Sequence, residues 1–169
     1  NLFLSLGVGE GDVVAFLLPN SLETMYTLMG AGIAGIVNPI NPLLDAEQVA
    51  GILRETKAKV LVTLKAFPKA EVAQLANDAV AMAPCVETVL EIDLNRYLSP
   101  PKSWLVPLLR PKVPVKHKAR VRNFVAEMNK QNRTLDFADS SEDRVAAYFH
   151  TGGTTGTPKV AQHKYSGFV

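Results

Sequence analysis

The residues best suited to chemistry lie together near one end of the chain, where His150 to Lys159 reads His-Thr-Gly-Gly-Thr-Thr-Gly-Thr-Pro-Lys. Gly152, Gly153 and Gly156 can take backbone angles that other residues avoid, which lets their amides turn toward an anion. The hydroxyls of Thr151, Thr154 and Thr155 add donors, and Lys159 supplies a positive charge suited to a polyphosphate. The stretch is not a Walker A loop, because Pro158 precedes the lysine and Val160 follows it. Taken alone it also reads as a glycine-threonine surface turn with an exposed lysine.

Other candidates carry less. Gly30, Gly32 and Gly35 match G-x-G-x-x-G, with Glu55 twenty residues beyond Gly35. A dinucleotide loop must follow a strand and open a helix. These glycines instead close a helix that begins near Ser21, so close helix packing is the expected role and a nicotinamide site is rejected. Cys85 is the single cysteine; it excludes an internal disulfide, fits a reducing compartment and reads as a small buried hydrophobe. No Cys/His cluster stands at ligand spacing, so a structural zinc site has no support. His163 reads as a surface histidine.

The elements that must position the loop alternate in type. The turn cluster Gly7–Asp12 leads into an apolar strand, Val13–Leu18, closed by Pro19-Asn20. Asn20 and Glu23 resemble a capping box, and Met25, Leu28, Met29, Gly32 and Ile33 repeat at helical spacing behind it. An extended piece, Val37–Pro42, precedes a helix started by Asp45 and Gln48, with Val49, Ile52 and Leu53 on its inner face. Lys59–Thr63 and Val86–Ile92 read as strands. Between them Pro68 opens a helix with Val72, Leu75, Ala76, Ala79 and Val80 on one face. Val145–Phe149 is the strand that delivers the loop. This alternation predicts an α/β fold, a mostly parallel sheet with helices on both faces.

The rhythm fails from about 98 to 141. Five prolines fall between Pro100 and Pro114, and Lys102–Arg133 holds nine Lys or Arg against Glu127 alone. That stretch is therefore +8 in a chain of net charge +2, which leaves −6 for the remainder. One reading is a surface for anionic lipid, with Trp104 and its neighbouring leucines entering the interface: a weak peripheral membrane contact through 100–133. The other is a solvated insert carrying an amphipathic helix, about 116–129, which packs Val121, Phe124, Val125 and Met128. Nucleic-acid binding is not supported, since only Trp104 and Phe124 interleave the charges. The longest apolar stretch, Met25–Ile40, is broken by glycines and Pro39, and falls short of the roughly 18–20 residues that span a bilayer.

The loop resembles the T-S-G-T-T-G-x-P-K-G signature of adenylate-forming enzymes, the AMP-dependent synthetases and ligases. Upstream, Gly11–Ser21 is similar to that family's G-D-R-V-A-x-x-L-P-N-S, Gly32–Pro42 to A-G-A-V-x-x-P-x-N-P, and Ala58–Thr63 to A-K-x-L-I-T. The likeness covers about 1–95 and 144–160. It implies an incomplete N-terminal (AMP-binding) domain over 1–169, interrupted by the basic insert, in a cytoplasmic acyl-CoA synthetase. The reaction it implies joins a carboxylic acid to ATP, giving an acyl-adenylate and pyrophosphate, and then passes the acyl group to CoA. A fatty or other hydrophobic acid is the expected substrate, and Mg2+ the expected metal. Thr151, Gly152, Gly153, Thr154, Thr155, Gly156 and Lys159 would hold the β- and γ-phosphates. Catalytic residues are expected downstream, with the adenine and ribose motifs and the C-terminal domain, so the fragment is not expected to act alone. The alternatives are an adenylation domain that loads a carrier protein, and a non-catalytic nucleotide-binding module. Gly152 and Val160 depart from the signature, His150 replaces a common tyrosine, and Tyr165 stands at the position of a common histidine. Val160, being β-branched, favours extended backbone directly after Lys159.

Overall fold

The computed structural model describes residues 1–135, 142–151 and 159–168. Helix α1 (Leu2–Ser5) precedes β1 (Val13–Leu17), α2 (Leu22–Ala34), β2 (Ile36–Pro39), α3 (Ala46–Glu55), β3 (Ala58–Leu64), α4 (Val72–Ala81) and β4 (Thr88–Ile92). A 3-10 turn (Leu94–Tyr97), α5 (Lys102–Leu109), β5 (Arg120–Asn123), α6 (Phe124–Asn129), β6 (Val145–Thr151), β7 (Lys159–Lys164) and a last 3-10 turn (Tyr165–Phe168) follow. Among the described residues the strands form one sheet in the order β5-β4-β3-β1-β2-β6-β7. Its strands are parallel except for β7, which runs antiparallel to β6.

The apolar runs follow from burial on both sides. Successive side chains in a strand point to opposite faces, so Val13, Ala15 and Leu17 join one core while Val14 and Phe16 join the other. The first core is covered by α3 through Val49, Ile52 and Leu53, and by α4 through Ala76, Ala79 and Val80. The second is covered by Leu2 and Phe3 of α1, Ala31 and Ala34 of α2 and Phe124 of α6. Cys85 packs against the first core, with its thiol on the Leu53 carbonyl.

Helix α2 departs from its expected face. Glu23, Thr27, Ala31 and Ala34 are buried, whereas Met25 and Met29 are 52% and 63% exposed. Small residues let the helix lie close to its neighbours: a Cβ on Gly30 would stand 3.3 Å from the Phe3 ring, and one on Gly35 only 2.4 Å from the Asp12 carbonyl oxygen. Larger side chains on that side would not fit, so they turn outward. The cap is Ser21 and not Asn20, its hydroxyl accepting from the Thr24 amide. The expected capping partner, Glu23, turns inward to meet Arg96 at 2.8 Å and the Tyr97 hydroxyl at 2.7 Å.

Three further boundaries differ. Pro68 lies in a tight turn closed by the Phe67–Ala70 bridge, with Lys69 in the left-handed region (φ 62°), so α4 starts at Val72. The Asp45–Gln48 capping box does form. Residues 120–123, expected to be helical, are instead the edge strand β5, parallel to β4 with Val89 opposite Val121. Alternation of Arg120, Val121 and Arg122 suits a strand edge, and Asn123 then caps α6 by accepting from the Ala126 amide at 2.8 Å. The basic stretch thus contributes a strand to the sheet.

Candidate functional site

Strand β6 carries the loop to the carboxyl edge of the parallel sheet, where open α/β sheets bind ligands. Residues 152–158, which include Gly152, Gly153, Thr154, Thr155 and Gly156, lie outside the described residues. Their two flanks are described: Thr151 ends β6, Lys159 begins β7, and the two are register partners. Both ends of the predicted phosphate loop are therefore held side by side at one strand edge. Val160 pairs with His150 in the same ladder, so the β-branched residue extends the chain as expected.

A polar chain supports this root from beneath. His150 Nε2 lies 2.7 Å from Asn38 Oδ1 on β2. The Asn38 amide donates to Thr56 Oγ1 at 3.3 Å, and that hydroxyl donates to the Ile52 carbonyl at 2.8 Å. Asn38 is fully buried. Because the asparagine Nδ2 is committed to Thr56, its oxygen faces the ring, and His150 is fixed as the Nε2–H tautomer. Burial pushes the imidazole below its ordinary range despite the opposing charge of Glu55, so the ring is neutral at pH 7. Its Nδ1 is buried and has no hydrogen-bond partner among the described residues.

The other end of β6 is clamped to α2. Arg144 donates to the carbonyls of Gly35 (2.9 Å) and Ile33 (2.7 Å), where a cation offsets the negative end of the helix dipole. Its guanidinium also lies 4.9 Å from the Tyr165 ring centre, and the Tyr165 hydroxyl donates to the Gly32 carbonyl. The hydrogen bonds of Arg144 to α2 and of His150 to Asn38 span more than 100 residues, and no local pattern in the sequence signals them. His163 is exposed and makes an edge contact with Phe149, ring centres 5.0 Å apart. Among the described residues, no group of three His, Cys, Asp or Glu side chains could hold a metal ion. None of the described helices is long and apolar enough to cross a membrane.

The fold is an open, mostly parallel α/β sheet, with the two flanks of the predicted loop paired at its carboxyl edge. The chain belongs to the AMP-binding enzyme family, whose profile matches residues 1–169, the basic stretch included. It is 34% identical over 169 residues to marinolic acid–CoA ligase of Pseudoalteromonas sp. (strain SANK 73390), covering 99% of this chain and 22% of that protein. It is 31% identical over 161 residues to long-chain-fatty-acid–CoA ligase of Bacillus subtilis (strain 168), covering 90% of this chain and 27% of that protein. The fold matches the crystal structure of the anthranilate CoA ligase AuaEII in complex with anthranoyl-AMP, with a TM-score of 0.72 and 24% identity over 97% of this chain and 27% of that one. The chain thus spans about a quarter of the length of these relatives.

Proposed function

We propose that the intact protein is an AMP-forming acyl-CoA synthetase, and that the β6–β7 loop holds the β- and γ-phosphates of ATP. The observation that carries this reading is the pairing of Thr151 with Lys159 at the carboxyl edge of the sheet. Thr151, Thr154 and Thr155 offer hydroxyls, and Gly152, Gly153 and Gly156 offer amides. Lys159 offsets charge as pyrophosphate leaves, the step in which a fixed cation contributes most. A carboxylate oxygen attacks the α-phosphorus, pyrophosphate departs, and the CoA thiol then displaces AMP from the acyl carbon. Magnesium travels with the phosphates. His150, neutral and braced on Asn38, fixes the strand from which the loop departs.

A hydrophobic carboxylic acid is the proposed substrate; one relative is named for a long-chain fatty acid and one for marinolic acid. A cytoplasmic enzyme with weak peripheral membrane contact fits the exposed face of α5, where Trp104 and Leu108 are 70% and 81% exposed beside Lys102 and Lys112. Sedimentation with anionic vesicles at low and physiological salt tests that contact, and equal recovery with neutral vesicles removes it.

Acid-dependent exchange of labelled pyrophosphate into ATP by the intact protein tests the main reading. Lys159→Ala is expected to slow exchange on the order of a hundredfold. No exchange with any carboxylic acid sinks the enzyme and leaves a nucleotide-binding module. Exchange that is unchanged in Lys159→Ala takes the loop out of the mechanism. Acyl transfer to a pantetheine-bearing carrier in place of CoA would identify a carrier-loading domain.

A further inference from the structure

Away from the loop, residues Arg110 to His117 form an extended strap across the sheet face that α4 also covers. The strap is fastened at both ends. Arg110 Nη2 grips both oxygens of Asp93, at 2.9 and 2.8 Å. At the other end Asn77 donates to the Pro114 carbonyl (3.0 Å) and accepts from the Lys116 amide (3.0 Å), while Lys116 Nζ meets Asp78 at 2.7 Å. Beneath the strap lies a cavity of about 300 Å³, at the lower end of the roughly 300–1,000 Å³ of small-molecule sites.

The sheet supplies its floor. Thr63 and Glu91 are register partners at the carboxyl ends of β3 and β4, and Val89 and Val121 extend the floor toward β5. Ala73 and Ala76 of α4 and Val113 of the strap make the walls apolar. Three lining residues hold buried polar atoms without a hydrogen-bond partner among the described residues: Thr63 Oγ1, Arg110 Nη1 and His117 Nδ1. Thr63 is 2% exposed, so its hydroxyl has no bulk water to turn to. Native structures leave few such atoms unmatched, and a group of three around one cavity calls for a guest. The charged lining residues are Lys65 and Arg110 against Glu91. Burial pushes the Glu91 carboxyl upward although Lys65 and Arg110 oppose the shift, and burial holds His117 below its ordinary range. Lys65 and Glu91 balance each other and Asp93 takes Arg110 through Nη2 alone, which leaves Arg110 Nη1 as an N–H donor for a carboxylate head.

We propose that this cavity is a second ligand site for a small monocarboxylate with an apolar body, its head taken by Thr63 Oγ1 and Arg110 Nη1 and its body held by Ala73, Ala76, Val89 and Val113. The site is separate from the phosphate loop. β3 lies three strand spacings from β6, about 14 Å at ~4.8 Å each. It therefore stands or falls independently of the ATP reading.

Titration calorimetry of the intact protein with hexanoate, and with hexan-1-ol as the neutral analogue, tests the proposal. Hexanoate is expected to show a binding phase that Val113→Phe, which fills the cavity from the strap, abolishes. Thr63→Val keeps the side-chain shape and should weaken that phase roughly tenfold, the loss of one hydrogen bond to a charged partner. Three results would overturn the site: hexanoate binding that neither substitution alters, hexan-1-ol binding as tightly as hexanoate, or no saturable phase. If all hexanoate binding resists both substitutions while pyrophosphate exchange persists, the acid binds at the catalytic centre alone.

Discussion

Helices α2 and α3 both connect parallel strands beside β1, yet they are held by different means. Helix α3 buries Val49, Ile52 and Leu53 to 0% exposure and opens on an Asp45–Gln48 capping box. Helix α2 buries alanines and a carboxylate, and shows most of its large apolar residues, Met25 and Met29 among them, to solvent. One is fixed by the volume it buries. The other is fixed by closeness and by polar anchors at its ends: Glu23 with Arg96 and Tyr97 at the first, Arg144 at the last. A helix can therefore be well docked without a large apolar inner face, provided that small residues allow contact and that buried charges are paired.

Substitutions rank by this difference. Leu53→Ala should cost about 2–5 kcal/mol, because a fully buried leucine leaves a cavity, and a urea midpoint would record it. Gly35→Ala comes next at about 1–3 kcal/mol, since backbone oxygens 2.4 and 2.8 Å from the new methyl must shift. A loss below that range would mean that the α2–β1 approach is looser than described.

Tyr97→Phe should cost about 1 kcal/mol, from the one hydrogen bond that the half-exposed Tyr97 donates to the buried Glu23 carboxylate. Burial alone would raise the Glu23 carboxyl, but the Tyr97 hydroxyl and the Arg96 charge outweigh it and hold the carboxyl below its ordinary 4.5. A lowered carboxylate stabilises the fold above its ordinary value and loses that contribution as pH falls through it. The gap between wild type and Tyr97→Phe should therefore narrow as pH drops from about 4.5; a constant gap would dissociate Tyr97 from the Glu23 charge. Smallest of all, Met29→Ala should stay within about 0.5 kcal/mol, as exposed positions do. A cost near that of Leu53→Ala would erase the contrast between the two helices.

Much of this frame was legible in the residues. Apolar runs with turn signals located β1, β3, β4 and β6, and Asp45 with Gln48 marked the start of α3. The inner face of α2 was not legible, because helical spacing reports where apolar residues lie and not which side approaches the sheet. Proximity was decided by Gly30, Gly35, Ala31 and Ala34, which carry no hydrophobic signal. β5 was misread because four residues between prolines and basic clusters offer a weak period, and pairing with β4 determined their state. At the loop, residue types pointed to phosphate. The His150–Asn38–Thr56 chain joins segments about 100 residues apart, and only folding brings them together.

Beyond the site, the sheet has two outer strands among the described residues, β5 and β7. One displays Arg120 and Arg122, the other Lys159 and Lys164. Open strand edges recruit other strands, and cations along them are a common defence. Both strands carry the same sign, so two such strands brought side by side repel. That protection is colloidal and weakens with salt, as the screening length falls to about 8 Å at physiological ionic strength.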